Sequence, residues 1–191
     1  MGKFTKIPQE AFQEMQFEAG VLLKNFDIAK GTFADSDIIT ATSGGINASC
    51  VPTYSDHGAD VDNCPNNLME LKQLESWLCK LAATALNTSP EFIRKALGAA
   101  DIDATDPTKV TPRNSLKQTD FEDIWWVGDK IGGGAVAVRL MNSLSTAGLT
   151  LQTTKKGKGN VSVEFTGHYS AKNQDVVPME FYSTDAKEGI E

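Results

Sequence analysis

The sequence predicts a mainly β, antiparallel fold, a sandwich or barrel with one flanking helix and long loops. Three observations carry this. Apolar residues alternate with polar ones over most of the chain, the period of a strand with one buried face. The alternating stretches follow one another at hairpin spacing, punctuated by glycine-rich turns such as the triplet at 132–134. The βαβ alternation of parallel-sheet proteins is almost absent. At 191 residues, one domain spanning 1–191 is expected.

Residues 1–15 read as an N-terminal arm. The next stretch is ambiguous, because its helix formers are interrupted by Gly20. From Gln16, however, Phe17, Ala19, Val21 and Leu23 alternate with Gln16, Glu18, Gly20 and Leu22, which allows a strand to Phe26. Ile46, Ala48, Cys50, Pro52 and Tyr54 share one face of a strand that Pro52 confines to an edge or bulge. Residues 55–72 are polar and rich in Asp and Asn, a long loop. Residues 74–87 return as a strand with Trp77, Cys79, Leu81, Ala83 and Ala85 on one face.

The helix falls at about 89–98. Ser89 caps it, Pro90 suits its first turn, Glu91 favours its N-terminal dipole and Gly98 stops it. A second polar loop covers 101–120. Strands are then expected over 121–129, 135–142, 149–154, 160–170 and 177–182, before a flexible end at 183–191.

Composition narrows the function. No run of about 18 apolar residues offers a membrane span, and the N-terminus lacks the apolar core of a secretory signal. With 25 acidic and 18 basic residues the net charge is −7, unsuited to gripping a phosphate backbone. Cys50, Cys64 and Cys79 are too few and too scattered for a disulfide framework, and read as packing residues in a reducing compartment.

Sharper motifs fail on inspection. "KKGKGNVSVEF" has glycines and lysines, but a phosphate loop needs a third glycine position, a Ser or Thr after the Lys and a following helix. A hairpin tip fits better, with Gly157 and Gly159 making the turn and Lys155, Lys156 and Lys158 displayed on it. Asp56, His57, Asp60, Asp62 and Cys64 crowd ligand types into one loop, and "DIDATD" at 101–106 starts like a calcium loop. It lacks the glycine and the distal Glu such a loop requires. No nucleophile motif is present, and no catalytic residue is assigned. Ser162, Glu164, Thr166 and His168 form a polar row on one strand face, while Trp125 and Trp126 point to opposite faces of theirs, one to the core and one needing cover from a loop or a second subunit.

Longer blocks carry a resemblance. "TSGGINASCVPTYSDHGADVDNCPNNLMELKQLESW", "GAADID", "KVTPRNSLKQTDFEDIWWVGD" and "STAGLTLQTTKKGKGNVSVEFTGHYS" occur in this order, and the chain from about 25 to 182 resembles the major tail protein, or tail tube protein, of long-tailed bacteriophages and prophages. "AGVLLKNFD" at 19–27 is similar to that family's first strand, which favours β over helix there. One departure is the short, glycine-rich loop 129–134.

The resemblance implies a tail-tube type of β-sandwich or barrel with no enzymatic activity and no cofactor. It implies hexameric rings stacked into a hollow tube around a tape measure protein, bounded by tail terminator and distal tail proteins. DNA would pass through the lumen without specific binding. The implied location is a virion tail assembled in the bacterial host cytoplasm. On that reading Ser162, Glu164, Thr166 and His168 are candidates for the lumen wall. Asp56, Asp60, Asp62, Trp125, Trp126, Lys155, Lys156 and Lys158 are candidates for contacts between subunits, the lysines meeting a carboxylate-rich neighbour. The long loops, too poor in apolar residues to order alone, would dock on adjacent subunits. Two alternatives stand beside it: a carbohydrate- or receptor-binding β-sandwich using Trp125, Trp126, Tyr54 and the Asp-rich loops, or the tube protein of a contractile injection system.

Overall fold

The alternating stretches become antiparallel strands in the computed structural model, which describes residues 7–185. In chain order these are β1 (Gln16–Leu23), β2 (Ile38–Thr40), β3 (Thr42–Asp56), β4 (Lys72–Ala85), α1 (Pro90–Leu97), β5 (Ala100–Ile102), β6 (Val110–Pro112), β7 (Glu122–Lys130), β8 (Ala135–Ser145), β9 (Thr150–Gln152), β10 (Asn160–Thr166) and β11 (Met179–Ser183). The main sheet runs β2-β1-β7-β8-β10-β4-β3, with β11 also on β8 and β9 also on β10; β5 and β6 pair separately.

This sheet folds over on itself, and β8 is the corner. Its Val136–Leu140 stretch pairs with β7 and β11, whereas Leu144 and Ser145 pair with β10. Between them the register with β7 shifts, and Asn142 takes φ 46°. An extra residue on one strand bends it and raises its twist. The two halves therefore face each other across one core. Leu22, Ile124, Val138 and Leu140 come from one half, and Cys79, Leu81, Val163 and Phe165 from the other; Phe92 and Ala96 of α1 close the end. Each large side chain buried here contributes about 1.5–3 kcal/mol.

β1 and β7 are covered on both faces. Leu23, Trp125, Val127 and Ala137 form a second cluster with Phe26 on the far side. That explains the run "IWWV", where adjacent residues are apolar instead of alternating. α1 is built as its sequence suggests. Ser89 Oγ accepts from the Phe92 N–H at 3.3 Å, and Gly98 ends the helix at φ 74°.

Several expectations are corrected. A short strand, β2, lies at 38–40 where none was expected; three residues are too few to show a period. The polar stretch 101–120 is not a bare loop. It contains the β5–β6 hairpin, against which α1 packs, and it is ordered by charge. Arg113 bonds Asp120 at 2.6 Å and forms an ion pair with Asp101 at 2.9 Å, and Lys117 bonds Asp101 at 3.0 Å. Of the expected N-terminal arm, 1–6 lie outside the described residues; the rest contains a short 3-10 turn, Gln9–Phe12, and is clasped to the body. Lys130, buried in the β7–β8 hairpin, bonds Glu14 at 3.0 Å, Ser183 at 3.2 Å and Asp185 at 3.4 Å. Residues 183–185 of the expected flexible end are thus bound in place, and 186–191 lie outside the described residues.

Candidate assembly surface

The outward face of β3, β4 and β10 is a polar plane read directly from register. Ser49, Lys80 and Thr166 stand side by side, then Asn47, Ala82 and Glu164, then Thr84 and Ser162 with Thr150 of β9 beyond. Its two charges cancel, because Lys80 Nζ donates to Glu164 Oε1 at 2.7 Å. The plane carries hydroxyls, amide and methyl groups and no aromatic ring. It offers no convergent set of charges to hold a ligand.

Of the four residues expected on this face, Ser162 is exposed and Glu164 half-buried there. Thr166 and His168 are corrected. Thr166 is buried, its hydroxyl 2.7 Å from that of Thr146. The strand expected to reach residue 170 stops at Thr166. Past it the chain turns back to β8, where the His168 N–H bonds the Met141 carbonyl at 3.3 Å and the His168 ring packs edge-on to Phe121. Period-2 counting assumes that a strand continues, and nothing in the alternation marks where this one leaves the ladder.

β3 ends the sheet path with no strand beyond it among the described residues. Its backbone edge is a template for pairing. The β3–β4 hairpin also outreaches the core. Beyond Cys50 and Cys79 the arm exposes Val51 and Tyr54 on one strand and Leu74 and Leu78 on the other. Tyr169 anchors its root, the hydroxyl accepting from the Trp77 N–H at 2.9 Å.

The loop at the arm's end is partly ordered by its own bonds. Asp56 accepts from the N–H of Asn67 at 2.8 Å and of Gly58 at 3.0 Å, and these bonds hold its carboxyl below the usual value. Docking on a neighbour is therefore not needed to order its base. Asp60 and Asp62 stand exposed at the tip. Among the described residues no three His, Cys, Asp or Glu side chains are grouped to hold a metal. In "DIDATD", Asp103 and Asp106 instead receive the hydroxyls of Thr105 and Thr108, at 2.7 and 2.6 Å.

The lysine knot is a hairpin tip between β9 and β10. One detail differs from expectation: the left-handed residue is Lys156, at φ 62°, and neither Gly157 nor Gly159. Lys155, Lys156 and Lys158 are exposed, and none makes a salt bridge to a described carboxylate.

The tryptophans are largely used inside the chain. Trp125 is 7% exposed, stacked on Tyr182 with Arg139 over its ring. Trp126 finds its cover in β1, where a bulge between Phe17 and Val21 lets the backbone close over the indole and the Ala19 carbonyl accept from Nε1 at 2.9 Å. Sequence parity could not identify this cover, because the bulge depends on Glu18 adopting φ 59°. Neither ring is free to stack on a sugar, and Tyr54 stands apart on the arm under Lys72. No helix among the described residues is long and apolar enough to cross a membrane. Compared with known proteins, the chain matches no protein-family model and no curated protein.

Proposed function

We propose that the chain is a structural protein without catalytic activity, a tail tube protein whose copies join edge to edge into hexameric rings that stack into a hollow tube. The observation that carries this reading is the polar plane with open edges. Around Ser162, β3, β4, β10 and β9 lie four abreast. At about 4.8 Å per strand, each copy spans about 19 Å, and six span about 115 Å of circumference. A ring of that size is about 37 Å across between backbones, and strand tilt widens it further.

The chemistry of the plane suits a conduit. A lumen studded with unpaired lysines would hold DNA by counterion release. Here the lysine is neutralised by Glu164 and its neighbours are hydroxyls and methyls. Ser162 and Glu164, with Asn47, Ser49, Lys80, Ala82 and Thr84, are the proposed wall. The exposed arm and the unpaired tip lysines are the proposed contacts to neighbouring copies, and a tape measure protein the proposed scaffold. The flexible tail type rests on the resemblance alone.

Negative-stain electron microscopy of concentrated protein tests this. Six-fold rings or tubes are expected. A chain that sediments as a monomer at every concentration and forms no rings with a tape measure protein from the same genome would overturn the reading.

A further inference from the structure

At the root of the β3–β4 arm, Cys50 and Cys79 are direct partners in the antiparallel ladder. Their sulfurs stand 3.1 Å apart. Directly opposed residues have Cα atoms about 4.5–5.5 Å apart, inside the range of about 4.4–6.8 Å that a disulfide spans. Closing to a bond of about 2.05 Å needs about 1 Å of movement between sulfurs already in contact.

The two thiols differ in access. Cys79 is 0% exposed and packed in the core, whereas Cys50 is half-buried, next to Val51 at the surface. Burial first, then the contact with Cys50, pushes the Cys79 thiol up to about 12. Cys79 thus stays protonated and shielded, and an oxidant from solvent meets Cys50. The third thiol, Cys64, sits in the loop against the Pro65 carbonyl.

We propose that Cys50 and Cys79 are an oxidisable dithiol that a hydroperoxide closes into an intrachain disulfide, stapling β3 to β4. The Cys50 sulfur attacks the peroxide and becomes a sulfenic acid, releasing one water when hydrogen peroxide is the oxidant. The Cys79 sulfur then attacks the Cys50 sulfur; the S–S bond forms, the S–O bond breaks, and the hydroxyl leaves with the Cys79 proton as a second water. Two electrons pass from the sulfur pair to the peroxide. A dithiol reductant reverses the change through a mixed disulfide. The staple holds the arm where it leaves the core and needs only one chain, so it is independent of assembly.

The test uses the native, wild-type chain treated with a few equivalents of hydrogen peroxide, then alkylated and digested without reductant. The expected product is a peptide containing Cys50 joined to one containing Cys79, two hydrogens lighter than the reduced pair. The melting temperature should rise by about 5–15 °C and return after dithiothreitol. Cys50 halted as a sulfenic or sulfinic acid with Cys79 free would overturn the proposal. So would linkage to Cys64, or both thiols intact once Cys64 is oxidised.

Discussion

Among single residues, Glu122 couples the helix to the sheet by charge. From the start of β7 it receives Arg94 at 3.0 Å and Lys95, and so fastens α1 to the sheet. Lys95 is 9% exposed and Glu122 39%. Burial works against the Glu122 carboxylate, yet Lys95 and Arg94 outweigh it and hold the carboxyl below its usual value. Burial also pushes the Lys95 ammonium down, against the pull of Glu122. The ammonium is therefore the member that suffers if the pair is cut. A fully buried pair losing one partner costs about 3–5 kcal/mol; partial exposure of Glu122 places the loss for Glu122→Gln at about 1–2 kcal/mol at pH 7. A depressed carboxyl stabilises above its unfolded value and ceases to as pH falls through its folded one. Wild-type urea midpoints should thus fall as pH drops below about 4, and the Glu122→Gln protein should lose less over that window. Equal acid sensitivity in both proteins would remove Glu122 from the account.

For the elements, what could be read in advance follows from how local the cause is. The α1 caps are local, and Ser89, Pro90 and Gly98 announced them. The β7–β8 hairpin, with Gly133 and Gly134 in its turn, was equally plain. Strand ends and bulges were not, because they answer to distant partners. β10 stops where β8 claims the chain, and the β1 bulge opens for Trp126 across the ladder. The polar loop 101–120 was misread because its order comes from Arg113, Asp101 and Asp120, and ion pairs leave no hydrophobic period. Turns also differ in what surrounds them. Gly134 has φ +84°, and a Cβ there would strike the Thr184 carbonyl next to β11. Gly45 has φ +80° with nothing within 4 Å. Gly45→Ala should cost about 1 kcal/mol, from backbone conformation alone. Gly134→Ala should cost about 2–4 kcal/mol, since packing strain is added. Urea unfolding of both variants checks the difference; equal losses would mean that the β7–β8 turn yields freely.

Considering the molecule as a whole, the fold class was legible because an antiparallel sheet writes itself in period 2. Its closure through β8 was not, since a bend at Asn142 looks in sequence like any other polar residue in a strand. The candidate surface was half legible: Ser162 and Glu164 keep their face, Thr166 keeps its register there but is buried, and His168 leaves it. If copies join through the arm, the exposed cross-strand pair Val51 and Leu78 is where assembly is most easily separated from folding. The double variant Val51→Glu with Leu78→Lys exchanges an apolar pair for an opposite-charge pair that the ladder accepts. The monomer's melting temperature should move by no more than about 2 °C, while rings and tubes disappear in sedimentation velocity and negative stain. Assembly at wild-type efficiency would relieve the arm of that role.

The clasp around Lys130 bears on how the molecule can be handled. Glu14, near the start of the described chain, and Asp185, at its end, bond the same ammonium. Glu14 and Asp185 therefore lie at a single pole of the described chain, beside the β7–β8 turn. A fluorophore or affinity tag attached at Asp185 starts from that pole. A short linker joining Glu14 to Asp185 would permit circular permutation of the described stretch, with new ends opened in the exposed loop at the tip of the arm.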